Sequence, residues 1–167
     1  TPKSAWENIQ HLITKDKIIY ECFMLNSNEQ SKKYLQELGY NVVGDKTIDF
    51  LTNDLDKDNY DIVVSNPPYE RIRSYKKRKT NLKYRCIKKL LDNDKPFIIL
   101  INSTNTFQKW YKELVIGKDI KFIFTSKKIN YDKYEEGGIK KIEQKKNACS
   151  FNAIYMTYKI LDKNEWI

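Results

Sequence analysis

The chain contains 167 residues, of which 31 are Lys or Arg and 22 are Asp or Glu, giving a net charge of +9. This length supports one hydrophobic core and excludes a catalytic core joined to a large recognition domain, so we expect residues 1–167 to form a single domain. The positive charge favours an anionic partner such as nucleic acid, although a sequence rich in Lys, Asn and Ile can be basic without one.

Cysteine and histidine are too few for several kinds of site. The cysteines, Cys22, Cys86 and Cys149, are widely spaced and form no metal-ligand pattern such as C-x-x-C. The single histidine, His11, argues against a Ser-His-Asp site or a His-rich metal site. No apolar run approaches the roughly 20 residues that span a bilayer, and the first residues lack the apolar core of a signal peptide. We therefore expect an intracellular, cytoplasmic protein with no metal and no membrane contact.

The first half of the chain predicts two helices and several short strands. Residues 2–14 carry apolar residues at helical spacing, and Ser4 and Glu7 have the arrangement of a capping box. β-Branched and aromatic runs then predict strands, and a second helix is stopped by Gly39. The expected strands cover residues 17–21, 40–43 and 60–65, a short third element covers residues 47–51, and the second helix covers residues 31–39.

The second half of the chain alternates helix and strand. An apolar stripe predicts a helix over residues 82–91, and a continuous apolar run predicts a buried strand over residues 95–101. Such alternation is typical of an α/β domain with a mostly parallel sheet, helices on both faces and an antiparallel C-terminal edge strand. The remaining expected elements are a helix at 107–114, strands at 120–125 and 148–161, and a polar loop at Gly137 and Gly138.

The segment Asn66-Pro67-Pro68-Tyr69 follows the strand expected at residues 60–65, at the edge where open α/β sheets place their chemistry. The Asn66 side chain and the Pro67 backbone offer two carbonyl acceptors in a segment that cannot turn into a helix. Two such acceptors suit the two protons of an exocyclic amine, and the ring of Tyr69 suits stacking on a planar base or amide. The motif predicts an amine-methylation site, with a plain strand-ending turn as the alternative.

The order of these segments resembles that of the S-adenosylmethionine-dependent amino-methyltransferases, and among them the small adenine-N6 DNA methyltransferase-like proteins of viruses and phages. Besides the Asn-Pro-Pro-Tyr motif, the similar segments are Thr1-Pro2 with Trp6, and residues 20–23, 48–51, 95–99, 102–104 and 128–131. The resemblance covers nearly the whole chain. It implies a single Rossmann-like methyltransferase domain, without a separate target-recognition domain, in the host cytoplasm or a virion.

The resemblance also implies S-adenosylmethionine as cofactor. Its methionine end would lie against Glu21, Phe23 and the loop that follows them, while Asp49 would accept from the amino group of its adenine. Asp49 can alternatively be an Asx-turn residue, and Trp6 is either a cofactor contact or a core aromatic. The cofactor residues implied in this way are Trp6, Glu21, Phe23, Asn26, Ser27, Asp49 and Phe50.

Adenine N6 is hidden in duplex DNA, so the target base must be flipped out or already single-stranded. Tyr69 would stack on this base, and Tyr131 is the candidate for the opposite wall, or alternatively packs a loop. A basic run directly after the motif would hold phosphates, or else form the solvated face of the next helix. The proposed phosphate contacts are Arg71, Arg73, Lys76, Lys77, Arg78 and Lys79.

One departure from the family pattern leaves other functions open. Residues 21–30 contain no glycine, although the backbone of this loop must approach a cofactor closely. The first alternative is therefore a nucleic-acid-binding or structural subunit that has lost the cofactor. A further alternative keeps the fold and methylates an RNA base or a protein glutamine. Target specificity would come from loops, a protein partner or a homo-oligomer.

Overall fold

The computed structural model describes residues 1–24, 29–52, 56–68, 82–131, 133–134, 141–142 and 152–167. The helices are α1 (Lys3–Glu7), α2 (Gln30–Glu37), α3 (Leu82–Asn93) and α4 (Lys109–Val115). Short 3-10 turns occupy Gln10–Leu12, Lys57–Asn59 and Ser103–Phe107. The strands are β1 (Ile18–Tyr20), β2 (Asn41–Val43), β3 (Ile62–Ser65), β4 (Phe97–Asn102), β5 (Ile120–Phe124), β6 (Lys133–Tyr134), β7 (Lys141–Ile142), β8 (Ala153–Tyr158) and β9 (Glu165–Trp166).

Seven of these strands form one mixed sheet in the order β2-β1-β3-β4-β8-β5-β9. β8 is antiparallel to both of its neighbours, and the other pairs in this sheet are parallel. β6 and β7 form a separate antiparallel pair; the loop expected at Gly137 and Gly138 lies outside the described residues. The chain is thus a Rossmann-like α/β domain, and the expected mostly parallel sheet is confirmed.

Each face of the sheet carries its own hydrophobic layer. In β4, Ile98 and Leu100 pack with the apolar residues of α1 and α2, whereas Phe97 and Ile99 pack with those of α3 and α4. Successive side chains of a strand point to opposite faces, so a strand covered on both faces becomes a continuous apolar run. The expectation of helices on both faces is confirmed.

The strand order reverses between β1 and β3. β1 leads through α2 to β2 on one side, whereas β3 lies on the other side and leads through α3 to β4. Crossovers between parallel strands are nearly always right-handed, and these two run in opposite directions. This agrees with the packing of α2 and α3 on opposite faces. At such a reversal the carboxyl ends of the strands diverge into a crevice, where open α/β folds bind their ligands.

The strand expected at residues 148–161 corresponds to β8, which lies inside the sheet. Its expected edge position is wrong, although its antiparallel direction is confirmed. All six residues of β8 are buried, and the strand pairs with β4 on one side and β5 on the other. Apolar residues on both faces of a strand indicate a central position, because an edge leaves backbone groups open to solvent. The two-residue β9 occupies the edge beside β5.

The first helix is shorter than the spacing of its apolar residues predicts. α1 begins at Lys3, directly after Pro2, so Ser4 lies inside the helix and makes no capping hydrogen bond. Proline is favoured at helix starts because its fixed backbone angle suits the first turn. After Glu7 the chain continues into a 3-10 turn, and the expected capping box is wrong.

Residues 47–51 form turns where a short strand-like element was expected. The Asp45 carboxylate accepts from the Thr47 backbone N–H at 2.7 Å, and the Asp49 carboxylate accepts from the Leu51 backbone N–H at 2.9 Å. Side-chain hydrogen bonds of this kind offer the backbone an alternative to strand pairing. The long connection from β2 to β3 is therefore free to line the crevice.

Gly44 follows β2 and packs against the end of β1. Its φ angle is 122°, and a Cβ atom there would lie 2.3 Å from the carbonyl oxygen of Glu21. Lys32 of α2 donates to the Gly44 carbonyl at 2.8 Å. The close backbone approach that only glycine allows therefore comes from the neighbouring strand, beside the glycine-free loop.

Replacing Gly44 with Ala should destabilise the domain by more than about 2 kcal/mol, because backbone strain and a clash with main chain combine. Gly39→Ala is the matched control. The φ angle of Gly39 is 86°, but no described atom lies within 4 Å of the position of an added Cβ. The Gly39→Ala variant should therefore lose only about 1 kcal/mol of stability. Urea unfolding measures both losses, and equal losses would contradict the tight packing of Gly44 on β1.

Candidate active site

A cavity of about 340 Å³ opens at the carboxyl ends of β1 and β3, beside the segment that follows β2. This volume falls within the range of small-molecule sites, about 300–1,000 Å³. Four residues predicted at the site line it: Phe23, Asp49, Phe50 and Pro68. The other described lining residues are Cys22, Met24, Lys46, Thr47, Ile48, Leu51, Leu82 and Cys86.

Glu21 ties the ends of β1 and β3 to the start of α2. Its carboxylate accepts hydrogen bonds from the hydroxyls of Ser65 and Ser31 and from the backbone N–H of Phe23, the last at 3.1 Å. The residue is 1% exposed. Burial raises the pKa of this carboxyl above its ordinary value, and the three donors oppose that rise. Both oxygens have partners inside the protein, so Glu21 shapes the crevice, while its direct contact with a cofactor stays a prediction.

Phe23 and Phe50 form an aromatic wall of the cavity. Their ring centroids lie 5.0 Å apart with an interplanar angle of 75°. Phe50 is buried and also contacts Tyr20, with a centroid distance of 6.4 Å. The wall is therefore anchored in the core and offers an apolar surface to a planar group.

Asp49 lines the cavity and is held by its own turn. One carboxylate oxygen accepts from the Leu51 backbone N–H, and the Asp49 carbonyl accepts from the Thr52 backbone N–H at 3.0 Å. The second carboxylate oxygen has no hydrogen-bond partner among the described residues. The two interpretations of Asp49 are therefore compatible, because the Asx turn uses one oxygen and leaves the other for a ligand.

Cys22 and Cys86 also line the cavity, although neither was predicted as a site residue. Both are free and buried. Burial raises the pKa of both thiols, that of Cys86 to about 12. They stay protonated and act as small apolar surfaces, since only a thiolate is strongly nucleophilic. The apolar stripe of α3, which includes Cys86, was the sequence feature that could have predicted the burial of this residue.

Asn66 directly follows β3 and is held by Thr1. Its amide nitrogen Nδ2 donates to Thr1 Oγ1 at 2.9 Å. Its amide oxygen Oδ1 is buried and has no hydrogen-bond partner among the described residues. An unpaired buried acceptor costs about 1–3 kcal/mol, and native proteins keep few of them. This oxygen is therefore a candidate to receive a donor from a ligand.

Pro67 and Pro68 connect this acceptor to the cavity. Pro67 is buried, whereas Pro68 is partly exposed and lines the cavity wall. Two residues of extended chain span at most about 7 Å, so the Asn66 backbone lies close to the cavity. Pro68 of the predicted motif thus lines one cavity with the predicted cofactor residues Phe23, Asp49 and Phe50, and Asn66 lies two residues before Pro68.

Trp6 and Tyr131 belong to the hydrophobic layer on the α1 face. Trp6 is fully buried there, as its core-aromatic interpretation predicts, and its indole Nε1 has no hydrogen-bond partner among the described residues. Tyr131 is partly buried and packs against the same layer. Neither residue lines the cavity. Cofactor contact by Trp6 and base stacking by Tyr131 stay predictions.

The other predicted site residues lie outside the part of the chain that the structure describes. Within the described ranges, no group of three or more His, Cys, Asp or Glu side chains could hold a metal ion. Nor does any helix in those ranges have the length and apolar character to cross a bilayer. The residues outside the description are Asn26, Ser27, Tyr69, Arg71, Arg73, Lys76, Lys77, Arg78 and Lys79.

The stability of the Glu21→Gln variant relative to the wild type should increase as the pH rises. The raised pKa of Glu21 means that the unfolded chain ionises first, so wild-type stability falls between the unfolded and folded pKa values. The amide oxygen of Gln can accept from Ser65 and Phe23, and its amide nitrogen can donate to the Ser31 hydroxyl, so Gln avoids this penalty. Urea unfolding at several pH values from about 4 to 8 measures the difference between the two proteins.

Glu7→Gln, which removes an exposed carboxylate from α1, is the control for this comparison. Its difference from the wild type should change little over the same pH range. A Glu21→Gln advantage that stays constant or shrinks with rising pH would contradict a buried carboxyl with a raised pKa.

No protein-family model matches the chain, and no curated protein matches its sequence. Among solved structures, the chain is similar to a mutant of the Spodoptera frugiperda DNMT2 protein, with 11% sequence identity and a TM-score of 0.42 over 90% of this chain. This chain spans 46% of that protein's length. A likeness at this level identifies no function, so the function is inferred from the site itself.

Proposed function

We propose that this chain is a methyltransferase that uses S-adenosylmethionine to methylate an exocyclic amino group, with adenine N6 in DNA as its target. One observation carries the proposal: the buried Oδ1 of Asn66 is unpaired among the described residues, and Pro68, two residues further along the chain, lines a cavity of ligand size. Buried acceptors in native proteins are nearly always hydrogen-bonded, so this oxygen is suited to receive a donor from a ligand. An amino group is such a donor.

The cavity residues fit the nucleoside part of the proposed cofactor. Phe23 and Phe50 offer a wall for its adenine, and Asp49 offers a carboxylate oxygen to its amino group. Lys46 and Thr47 add polar groups to the same cavity. When bound, S-adenosylmethionine supplies an electrophilic methyl group.

Asn66 and Pro67 position the amine. The Asn66 Oδ1 and the Pro67 carbonyl accept hydrogen bonds from its two N–H groups, which favours a nitrogen lone pair that is not conjugated with the ring. Thr1 accepts from the amide nitrogen of Asn66 and so leaves the amide oxygen for the amine. In a direct methyl transfer, alignment of this kind is the main contribution of the protein.

A nucleic-acid substrate is supported by the net charge of +9 and by the basic run at residues 71–79, directly after the motif. Tyr69 and Tyr131 are the proposed stacking walls for the target base. Adenine in DNA is favoured because the order of the motifs resembles that of adenine-N6 DNA methyltransferase-like proteins. An RNA base carries the same kind of amino group, so the two substrates are separated by experiment.

Gly44 weakens the alternative of a subunit without cofactor. The main reason for that alternative was the absence of glycine from residues 21–30. Gly44 instead brings the backbone after β2 into contact with the Glu21 carbonyl, at a distance that excludes a side chain. A close approach of backbone at the crevice is therefore compatible with the absence of glycine from residues 21–30.

Asn66→Ala should abolish methyl transfer and leave stability nearly unchanged. The variant loses one hydrogen bond to Thr1, worth about 1 kcal/mol, but it also loses a buried acceptor that lacks a described partner. Transfer of labelled methyl groups to adenine-containing DNA and RNA oligonucleotides measures activity, and urea unfolding measures stability. Asn41→Ala removes an exposed amide from β2 and should retain activity.

Full activity in the folded Asn66→Ala protein would contradict the role of this residue. Modification of RNA but not DNA would change the substrate and keep the mechanism. If the wild type binds the cofactor but modifies neither nucleic acid, a protein glutamine becomes the substrate to test.

A further inference from the structure

A second cleft lies at the same edge of the sheet, between the ends of β4, β5 and β9 and the start of β8. Its volume is about 380 Å³, which is within the usual range of ligand sites. The methyl-transfer proposal leaves this cleft without a role. Its polar and aromatic groups indicate what it can bind.

Trp166 of β9 forms one wall of the cleft. Its ring stacks on Phe124 with centroids 4.8 Å apart and an interplanar angle of 26°, yet the residue is 76% exposed. Backbone hydrogen bonds from Ile167 to Phe124, at 2.9 Å, and from Ser126 to Ile167, at 2.6 Å, fix this segment on β5. One face of the indole is covered and the other is open. A held aromatic ring can take a planar group at little entropic cost.

The polar groups of the cleft suit an anion. Lys128 is exposed and makes no ion pair with any described residue. Ser103, Ser126 and Asn152 add two hydroxyls and an amide, and the described lining contains no acidic side chain. A stacking ring beside a cationic and hydroxyl-rich surface matches a nucleotide, which has a planar base and a charged phosphate.

The cleft lies within reach of a strand that has its target base at Asn66. β4 and β8 separate β3 from β5, which makes three inter-strand spacings, or about 14 Å. This distance equals about four nucleotides at the duplex spacing of 3.4 Å per strand, and fewer when the strand is extended. A nucleotide a few positions away in the same strand can therefore enter the cleft.

We propose that this cleft binds a nucleotide a few positions from the target base in a single-stranded nucleic acid. Trp166 stacks on the base of that nucleotide, and Lys128 contacts its phosphate. The place of this site in a reaction rests on the proposed function, but binding at the cleft does not require methyl transfer.

A fluorescent twelve-nucleotide thymidine oligomer is the probe, because thymine has no exocyclic amino group for Asn66 to hold. In anisotropy titrations, Trp166→Ala should weaken binding about ten-fold or more, and Trp166→Phe should retain most of the affinity. Lys128→Gln should lower the slope of log affinity against log salt by about 0.7. Lys118→Gln is the control, because it removes an exposed charge two residues before β5, at the end of the sheet opposite to the cleft. This variant should leave the slope unchanged.

Unchanged oligomer affinity in the Trp166→Ala protein, or no binding by the wild type at low salt, would overturn the proposal. Asn66→Ala separates the two proposals, because it should lose methyl transfer and keep its affinity for the thymidine oligomer. Binding that depends on Trp166, in a wild-type protein that transfers no methyl group to DNA or RNA, would support the cleft and contradict the proposed function.

Discussion

The buried carboxylate of Glu21 is the constraint on which the crevice depends. A charged group leaves water only at a large cost unless hydrogen bonds replace its hydration. Here the donors come from Ser65 at the end of β3, Ser31 at the start of α2 and the backbone of Phe23. Three separate segments must therefore end at one point, which is where the strand order reverses. Gly44 lets the end of β2 join them.

Three kinds of surface lie along the carboxyl edge of the sheet. The cavity beside Phe50 is aromatic and anchored in the core. Asn66, at the end of the next strand, keeps a buried acceptor that no described residue satisfies. Further along, Trp166 and Lys128 border a cleft without described acidic residues. We interpret the three as sites for the cofactor, the amine and a second nucleotide of the bound strand.

The sequence predicts those parts of the structure that depend on local pattern. The apolar run before Asn66 and the stripe of α3 gave the strand and helix that flank the motif. Features that depend on distant partners were not predictable. The sequence of β8 predicts a strand, but its position between β4 and β5 depends on pairing with residues that are distant in the sequence. The contact of Gly44 with Glu21 and the hydrogen bond from Asn66 to Thr1 likewise form only in the folded chain.

Calorimetric titration of the protein with S-adenosylmethionine tests the central claim most directly, because the proposed activity requires this molecule to occupy the cavity beside Phe50. We predict one molecule bound per chain, and weaker binding in an Asp49→Asn variant, which keeps an acceptor for the Asx turn but lacks the charge. Absence of binding by the folded wild type would contradict the account and favour a nucleic-acid-binding or structural subunit without cofactor.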